Sequence, residues 1–171
     1  MNAQFAMNDT QELVAPPLPD RAAIEAAADS LRTLVPPTPQ YVWPQVAAAF
    51  GAEVWLKHEN HTPIGAFKAR SVATYFQQLL KREPGMRGVL TATRGNHGQA
   101  VALAARRFKL PATVYVPHGN SLEKNAAMRA LGATLVEFGE DFQAAREEAA
   151  ASPPATGCTW CPRSTWTSCS A

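Results

Sequence analysis

A chain of 171 residues, 46% hydrophobic and 18% charged, holds enough apolar material for one ordinary core. A net charge of +2, with no basic stripe and no interleaving of aromatic with basic residues, speaks against a nucleic-acid partner. No apolar run reaches bilayer-spanning length, the N-terminus lacks the basic start and apolar core of a secretory signal, and all three cysteines crowd the last few residues, so the chain reads as cytoplasmic, with no membrane and no disulfide framework.

Residues 1–19 are polar and proline-marked and read as a mobile arm. Asp20 can cap a helix running to about Val35, with Ile24, Leu31 and Leu34 on one side, and Pro36-Pro37-Thr38-Pro39 ends it. Pro44 starts a short helix and Gly51 stops it. A strand follows over about 54–58. Pro63 and Gly65 then interrupt, and a helix runs from about Ala66 to Arg82.

The apolar stripe of that helix is Val72, Tyr75, Phe76 and Leu79. Lys68 stands four, seven, eight and eleven positions before them, on the buried face and at the helix N-terminus. Desolvation and the positive end of the helix dipole both disfavour an ammonium there. Both push the side chain toward the free amine that makes a Schiff base. The alternative is a lysine that reaches out to water from the first turn.

Glu83-Pro84-Gly85 is a turn. Strands at about 88–92, 112–116 and 134–138 then alternate with helices at about 97–108, 122–131 and 141–151. This alternation predicts an α/β fold with right-handed βαβ crossovers and a parallel sheet. Val101, Ala104, Ala105 and Phe108 form a core face. The turn from Thr93 to Asn96 joins a strand to a helix and would aim backbone N–H groups at an anion. Asn96 can equally be a simple helix cap. His118 lies in a loop at a strand's carboxyl end, where it faces either a ligand or solvent.

Three stretches stand in register: Val54-Trp55-Leu56-Lys57-His58-Glu59-Asn60, then Gly65-Ala66-Phe67-Lys68-Ala69-Arg70, then Gly95-Asn96-His97-Gly98-Gln99 after a strand. Together they resemble the pyridoxal-phosphate enzymes of the tryptophan-synthase-β fold type (fold type II), and within it the threonine/serine dehydratases. The resemblance covers about residues 36–150. His97-Gly98 stands where cysteine synthases usually carry Thr-Gly. Ala66 and Thr93 stand where many relatives have Ser.

The resemblance implies a division of the chain. Residues 20–87 would be the N-terminal part of a larger domain, and 88–151 a smaller βαβαβα domain. It also implies roles. Lys68 would carry pyridoxal 5'-phosphate as a Schiff base, with Phe67 flanking the ring and Asn96 hydrogen-bonding its 3-oxygen. Thr93, Arg94, Gly95, Asn96 and His97 would hold the substrate carboxylate. The freed Lys68 amine would take the Cα proton, and loss of the β-hydroxyl would lead to a 2-oxo acid and ammonia. Serine racemase and hydroxyaspartate dehydratase are the rival activities. The partner is an amino-acid substrate, and an intact member can be a homo-oligomer.

After residue 151 the composition changes. Ser152-Pro153-Pro154 breaks the helix, and residues 157–169 show neither a helical nor a strand period. Cys158-x-x-Cys161 with only Cys169 nearby falls short of the four ligands of a tetrahedral zinc site, so no metal is expected. Read two bases on, the codons permit a strand of the form His-x-Val-Pro-Ser-Phe, which is what the resemblance places next. The tail 152–171 is therefore expected to be out of frame and the chain an incomplete, inactive fragment. In the family the glycine-rich loop that cups the cofactor phosphate lies beyond this point. A non-catalytic remnant is the rival from another class. Either way, the Lys68 helix and the strand before it would leave apolar surface exposed.

Overall fold

Two sheets carry the chain, and different interactions build them. The structure, a computed structural model, describes residues 18–152 and 158–161. The expected arm lies outside those residues apart from Leu18 and Pro19, and so does most of the tail.

The larger sheet is parallel, ordered β5-β4-β3-β6, with β3 at Gly88–Ala92, β4 at Ala112–Val116, β5 at Thr134–Glu137 and β6 at Cys158–Trp160. All five residues of β3 are buried, as expected of a parallel strand covered on both faces. The helices between strands are α4 (Asn96–Arg107), α5 (Leu122–Ala130) and α6 (Phe142–Ala151). Ser121 caps α5 and Asp141 caps α6 through side-chain oxygens that accept from Lys124 N–H (3.3 Å) and Ala144 N–H (2.8 Å). Every predicted strand and helix of this region is present, with ends shifted by a residue or so.

The strand order fixes the layers. Passing β3 to β4 to β5 moves one way across the sheet, and β5 to β6 returns across it. With right-handed crossovers, α4 and α5 fall on one face and α6 on the other. Val89, Val101, Val114, Val116 and Met128 fill the core, each essentially inaccessible to solvent.

The tail departs from expectation. Cys158–Trp160 has no legible strand period, yet it pairs parallel with Gly88–Leu90. Cys161 N–H donates to Leu90 O (2.8 Å), Thr91 Oγ1 donates to Cys161 O (2.8 Å), and Thr159 Oγ1 donates to Glu83 Oε2 (2.6 Å). The reason is that the edge of β3 presents backbone groups needing partners, and the backbone of almost any extended segment can supply them.

The N-terminal part is built differently. Asp20 Oδ1 caps α1 (Arg21–Leu31), accepting from Ala23 N–H at 2.7 Å. This helix ends four residues earlier than predicted. Leu34 and Val35 N–H both turn back to Leu31 O at 2.8 Å, which tucks Val35 into the core. Val35 precedes Pro36, whose ring disfavours the helical conformation one residue before it. Ile24, predicted to lie on the inner side, is 57% exposed. A two-stranded antiparallel ribbon pairs β1 (Gln40–Val42) with β2 (Trp55–Lys57), and α2 (Pro44–Phe50) lies between them, stopped by Gly51. Tyr41, Trp43, Phe50, Trp55 and Leu56 on and beside this ribbon are exposed, as expected for elements short of packing partners.

The helix α3 (Lys68–Arg82) begins two residues later than predicted. Residues 62–66 form their own loop, closed by its two buried ends: Thr62 Oγ1 accepts from Ala66 N–H (2.9 Å) and donates to Ala66 O (2.8 Å). Gly65 sits at φ 64°, a left-handed conformation that glycine adopts without cost. The predicted stripe Val72, Tyr75, Phe76 and Leu79 is buried against α4, and the Phe76 ring stacks on Phe108 with centroids 6.1 Å apart.

Candidate active site

Connectivity puts two helix starts together. A short link carries α3 into β3, so α3 runs antiparallel to that strand. The strand then passes through residues 93–95 into α4, which also runs back along it. Both helices therefore start at the carboxyl end of β3, where open α/β sheets place ligands. The Phe76–Phe108 stack sets their axial offset. Phe76 lies eight residues past Lys68 and Phe108 twelve past Asn96. At ~1.5 Å per residue, the two first turns fall within about one turn of each other.

Lys68 is half-buried on the first turn of α3, with its Nζ 5.2 Å from the centroid of the Phe67 ring. Phe67 is itself 53% exposed at the cap position. The amine is thus less enclosed than a place on the buried face implies. The buried stripe starts at Ala69 and Val72, and the first turn reaches past that packed zone. The lysine lies along an aromatic face, the arrangement favoured by a cation–π contact, worth about 0.5–1 kcal/mol at exposed sites.

A polar network two residues further on holds this turn in place. Arg70 Nε donates to Glu59 Oε2 at 2.8 Å, while its other nitrogens donate to Val35 O (3.3 Å) and Pro36 O (3.1 Å). Thr38 Oγ1 donates to Glu59 Oε1 at 2.7 Å, and Lys57 Nζ to Thr38 O at 3.2 Å. Burial by itself would raise the Glu59 carboxyl pKa. The hydrogen bonds from Arg70 and Thr38, with the charges of Arg70 and Lys57, outweigh it and hold the group below its ordinary value. Arg70 and Glu59 were legible only as motif letters. The clue to their role was a pair of opposite charges flanking Lys68 in sequence, and nothing local shows that they meet.

The 93–97 turn divides its residues. Thr93, Gly95 and His97 are buried, whereas Arg94 and Asn96 are exposed. Thr93 Oγ1 accepts from Gly95 N–H at 3.1 Å. Gly95 occupies the cap position of α4, and no side chain caps that helix. Asn96 is therefore not the cap of its own helix, and its amide is left on the open side of the turn. Gly98 permits the tight packing beneath: a Cβ there would run into Thr93 Cγ2 and Met128 Sδ. An uncapped helix start of this kind suits an anion.

The residues present fit the aldehyde end of the cofactor implied by the motifs: a half-buried primary amine on an aromatic ring, on a helix packed against one that opens with an uncapped, amide-bearing turn. A cavity of about 270 Å³, lined by Ala102, Arg106, Leu110 and Leu131 among others, lies at the amino end of the strands, away from Lys68. Among the described residues no group of three His, Cys, Asp or Glu side chains converges as a metal site would need, and no helix is long and apolar enough to cross a membrane.

Comparison with known proteins bears on this arrangement. Residues 31–165 match the family model described as pyridoxal-phosphate dependent enzyme. The chain is 36% identical over 126 residues to an L-threonine ammonia-lyase of Thermotoga maritima, an alignment covering 74% of this chain and 31% of that protein. It is 38% identical over 114 residues to an L-threo-3-hydroxyaspartate ammonia-lyase of Pseudomonas sp, covering 66% of this chain and 35% of that protein. In three dimensions it is similar to the maize serine racemase, with a TM-score of 0.74 and 26% identity over 82% of this chain and 43% of that one. The chain thus spans about a third of the length of these curated relatives. The motifs, the parallel sheet and these matches agree that the chain belongs to the pyridoxal-phosphate-dependent enzyme family of fold type II.

Proposed function

We propose that the complete fold to which this chain corresponds converts L-threonine or L-serine into a 2-oxo acid and ammonia, the water lost with the β-hydroxyl being returned when the resulting enamine is hydrolysed. The observation that carries the reading is the Lys68 amine lying half-buried beside the Phe67 ring on the first turn of α3, a helix packed against α4, which the 93–97 turn opens. Lys68 would hold the cofactor's aldehyde carbon through Nζ, with Phe67 against the ring. Asn96, its amide on the open side of the turn, would donate to the cofactor's 3-oxygen. The first-turn N–H groups of α4 and the 93–97 loop would orient the substrate carboxylate. Once substrate takes its place, the freed Lys68 amine would accept the proton from Cα. Pyridoxal phosphate supplies the electron sink that makes this proton removable.

The family members named above support this class of chemistry and leave the substrate open, since relatives named for threonine, for hydroxyaspartate and for serine racemisation all align. A second reading, a non-catalytic piece of such an enzyme, is supported by the exposed aromatic face of the β1–β2 ribbon.

The test is to add pyridoxal phosphate to the full chain, reduce with borohydride and map the adduct by mass spectrometry. The expected result is a single dominant adduct on Lys68, lost in Lys68→Ala together with the absorbance band. Adducts spread evenly over the exposed lysines would overturn the assignment of Lys68. A folded protein that forms no adduct supports the non-catalytic reading. If the adduct forms, a panel of L-threonine, L-serine and threo-3-hydroxyaspartate, read by 2-oxo acid release, ranks the substrates.

A further inference from the structure

We propose that Arg70 and Glu59 are positioning residues that decide which amine of this chain meets the cofactor's aldehyde: they turn Lys68 out free from the first turn of α3 and keep Lys57 engaged elsewhere. The proposal deepens the reading of Lys68 as the cofactor's amine and rests on it. Lys57 stands two residues before Glu59, and Lys68 two residues before Arg70. The two amines are placed differently. Lys57 closes β2 with its Nζ bonded to Thr38 O at 3.2 Å. Among the described residues Lys68 Nζ forms neither a hydrogen bond nor a salt bridge, and its one directed contact is with the Phe67 ring.

The start of α3 has no cap of its own, since Phe67 makes no side-chain hydrogen bond there. Backbone bonds from Ala69 N–H to Ala66 O and from Arg70 N–H to Phe67 O shape the turn without fixing which way it faces. Arg70 fixes it. Its side chain is only 25% exposed and reaches outside the helix to Glu59, Val35 and Pro36. At ~100° per residue, positions 68 and 70 lie on roughly opposite sides of the helix, so anchoring Arg70 aims Lys68 away from the network. The anchored side also takes up the competing amine. Glu59 accepts from Arg70 and from Thr38 Oγ1, and the carbonyl of that same Thr38 accepts from Lys57. An amine held by a carbonyl must leave that bond before its lone pair can attack an aldehyde carbon, whereas Lys68 has no such bond to break. The network thus selects Lys68 twice, by freeing it and by occupying its competitor.

The test counts where the aldehyde goes. The full chain is incubated with less than one equivalent of pyridoxal phosphate and reduced with borohydride. The amine adds to the aldehyde carbon, water leaves, and hydride reduces the C=N bond to a secondary amine that mass spectrometry locates. The readout is the ratio of adduct on Lys68 to adduct on Lys57, which a loss of stability alone does not move in one direction. Wild type should favour Lys68. Arg70→Ala and Glu59→Gln should each lower the ratio by about tenfold, the equivalent of one lost charge-assisted contact. Arg70→Lys should fall between Arg70→Ala and wild type, and Arg129→Ala, which breaks the exposed pair with Glu137, should match wild type. Where Arg70→Ala shows no cooperative unfolding transition, Thr38→Val decides instead: it removes only the hydroxyl bond to Glu59 and should also lower the ratio. A wild-type ratio in a folded Arg70→Ala or in Thr38→Val overturns the proposal, and so does a rise spread evenly over every lysine. Either result, with wild type still trapped on Lys68, sinks this inference alone. A wild type with no preference for Lys68 sinks the reading of the active site itself.

Discussion

Arg70 Nε lies 2.8 Å from Glu59 Oε2, one helical residue beyond the neighbour of Lys68, and the same guanidinium reaches the carbonyls of Val35 and Pro36. This one side chain ties together the end of α1, the turn after β2 and the start of α3. The position of the Lys68 amine is inherited from that junction.

Arg70→Ala should therefore lower stability by about 2 kcal/mol, since it removes charge-assisted bonds and leaves a partly buried carboxylate with Thr38 alone. Arg70→Lys should recover only part of this, because a single ammonium cannot serve a carboxylate and two carbonyls at once. Urea midpoints for the three proteins give the ranking, and equal midpoints for Arg70→Ala and wild type would refute it.

Acid should act through Glu59. Its pKa in the folded protein is held below the ordinary value, so the network's contribution is fully present above the unfolded value of about 4.3. It is lost as pH falls through the lower folded value, because protonation breaks the acceptor. Wild-type protein should lose more stability between pH 6 and pH 3 than Glu59→Gln, which starts weaker and has no proton to bind there. Parallel pH curves for the two would exclude this origin.

Gly98→Ala should cost about 1–3 kcal/mol, since its methyl would collide with Thr93 Cγ2 and with Met128 Sδ at 2.5 Å. The same substitution should disturb the turn that Thr93 shapes. Thermal unfolding measures the first effect, and the amide shifts of Gly95 and Asn96 the second. A variant as stable as the parent would mean that the packing beneath the turn is looser than described.

The Cys161 thiol is inaccessible to solvent, and burial pushes its pKa up to about 12. With Cys158 and Cys169 replaced by Ser, Cys161 should resist iodoacetamide at pH 8 and react at least about a hundredfold faster in denaturant, because the thiolate is the reactive form. Fast labelling under native conditions would show that β6 does not stay on the sheet edge.

Local pattern carried much of this fold, for identifiable reasons. The stripe Val72, Tyr75, Phe76 and Leu79 recurs at helical spacing, and Gly88–Ala92 is a short, mostly apolar run between two turns, so α3 and β3 could be read directly. Asp20, Pro44 and Gly51 marked ends because caps act within a few residues. The tail strand β6 could not be read, since its pairing rests on backbone groups of β3 rather than on its own side chains. The early end of α1 was also hidden, because it depends on where Val35 finds a buried seat.

What the amino-acid order determined by itself was the family, through three motifs in register, and the alternation of strands and helices that carries them. Only the tertiary structure decided how enclosed the Lys68 amine is, that Asn96 is released from capping its helix, and that Arg70 meets Glu59 beside the first turn of α3. Spacing along a chain governs periodic contacts within one element. Meetings between charges dozens of residues apart are set by how the elements pack.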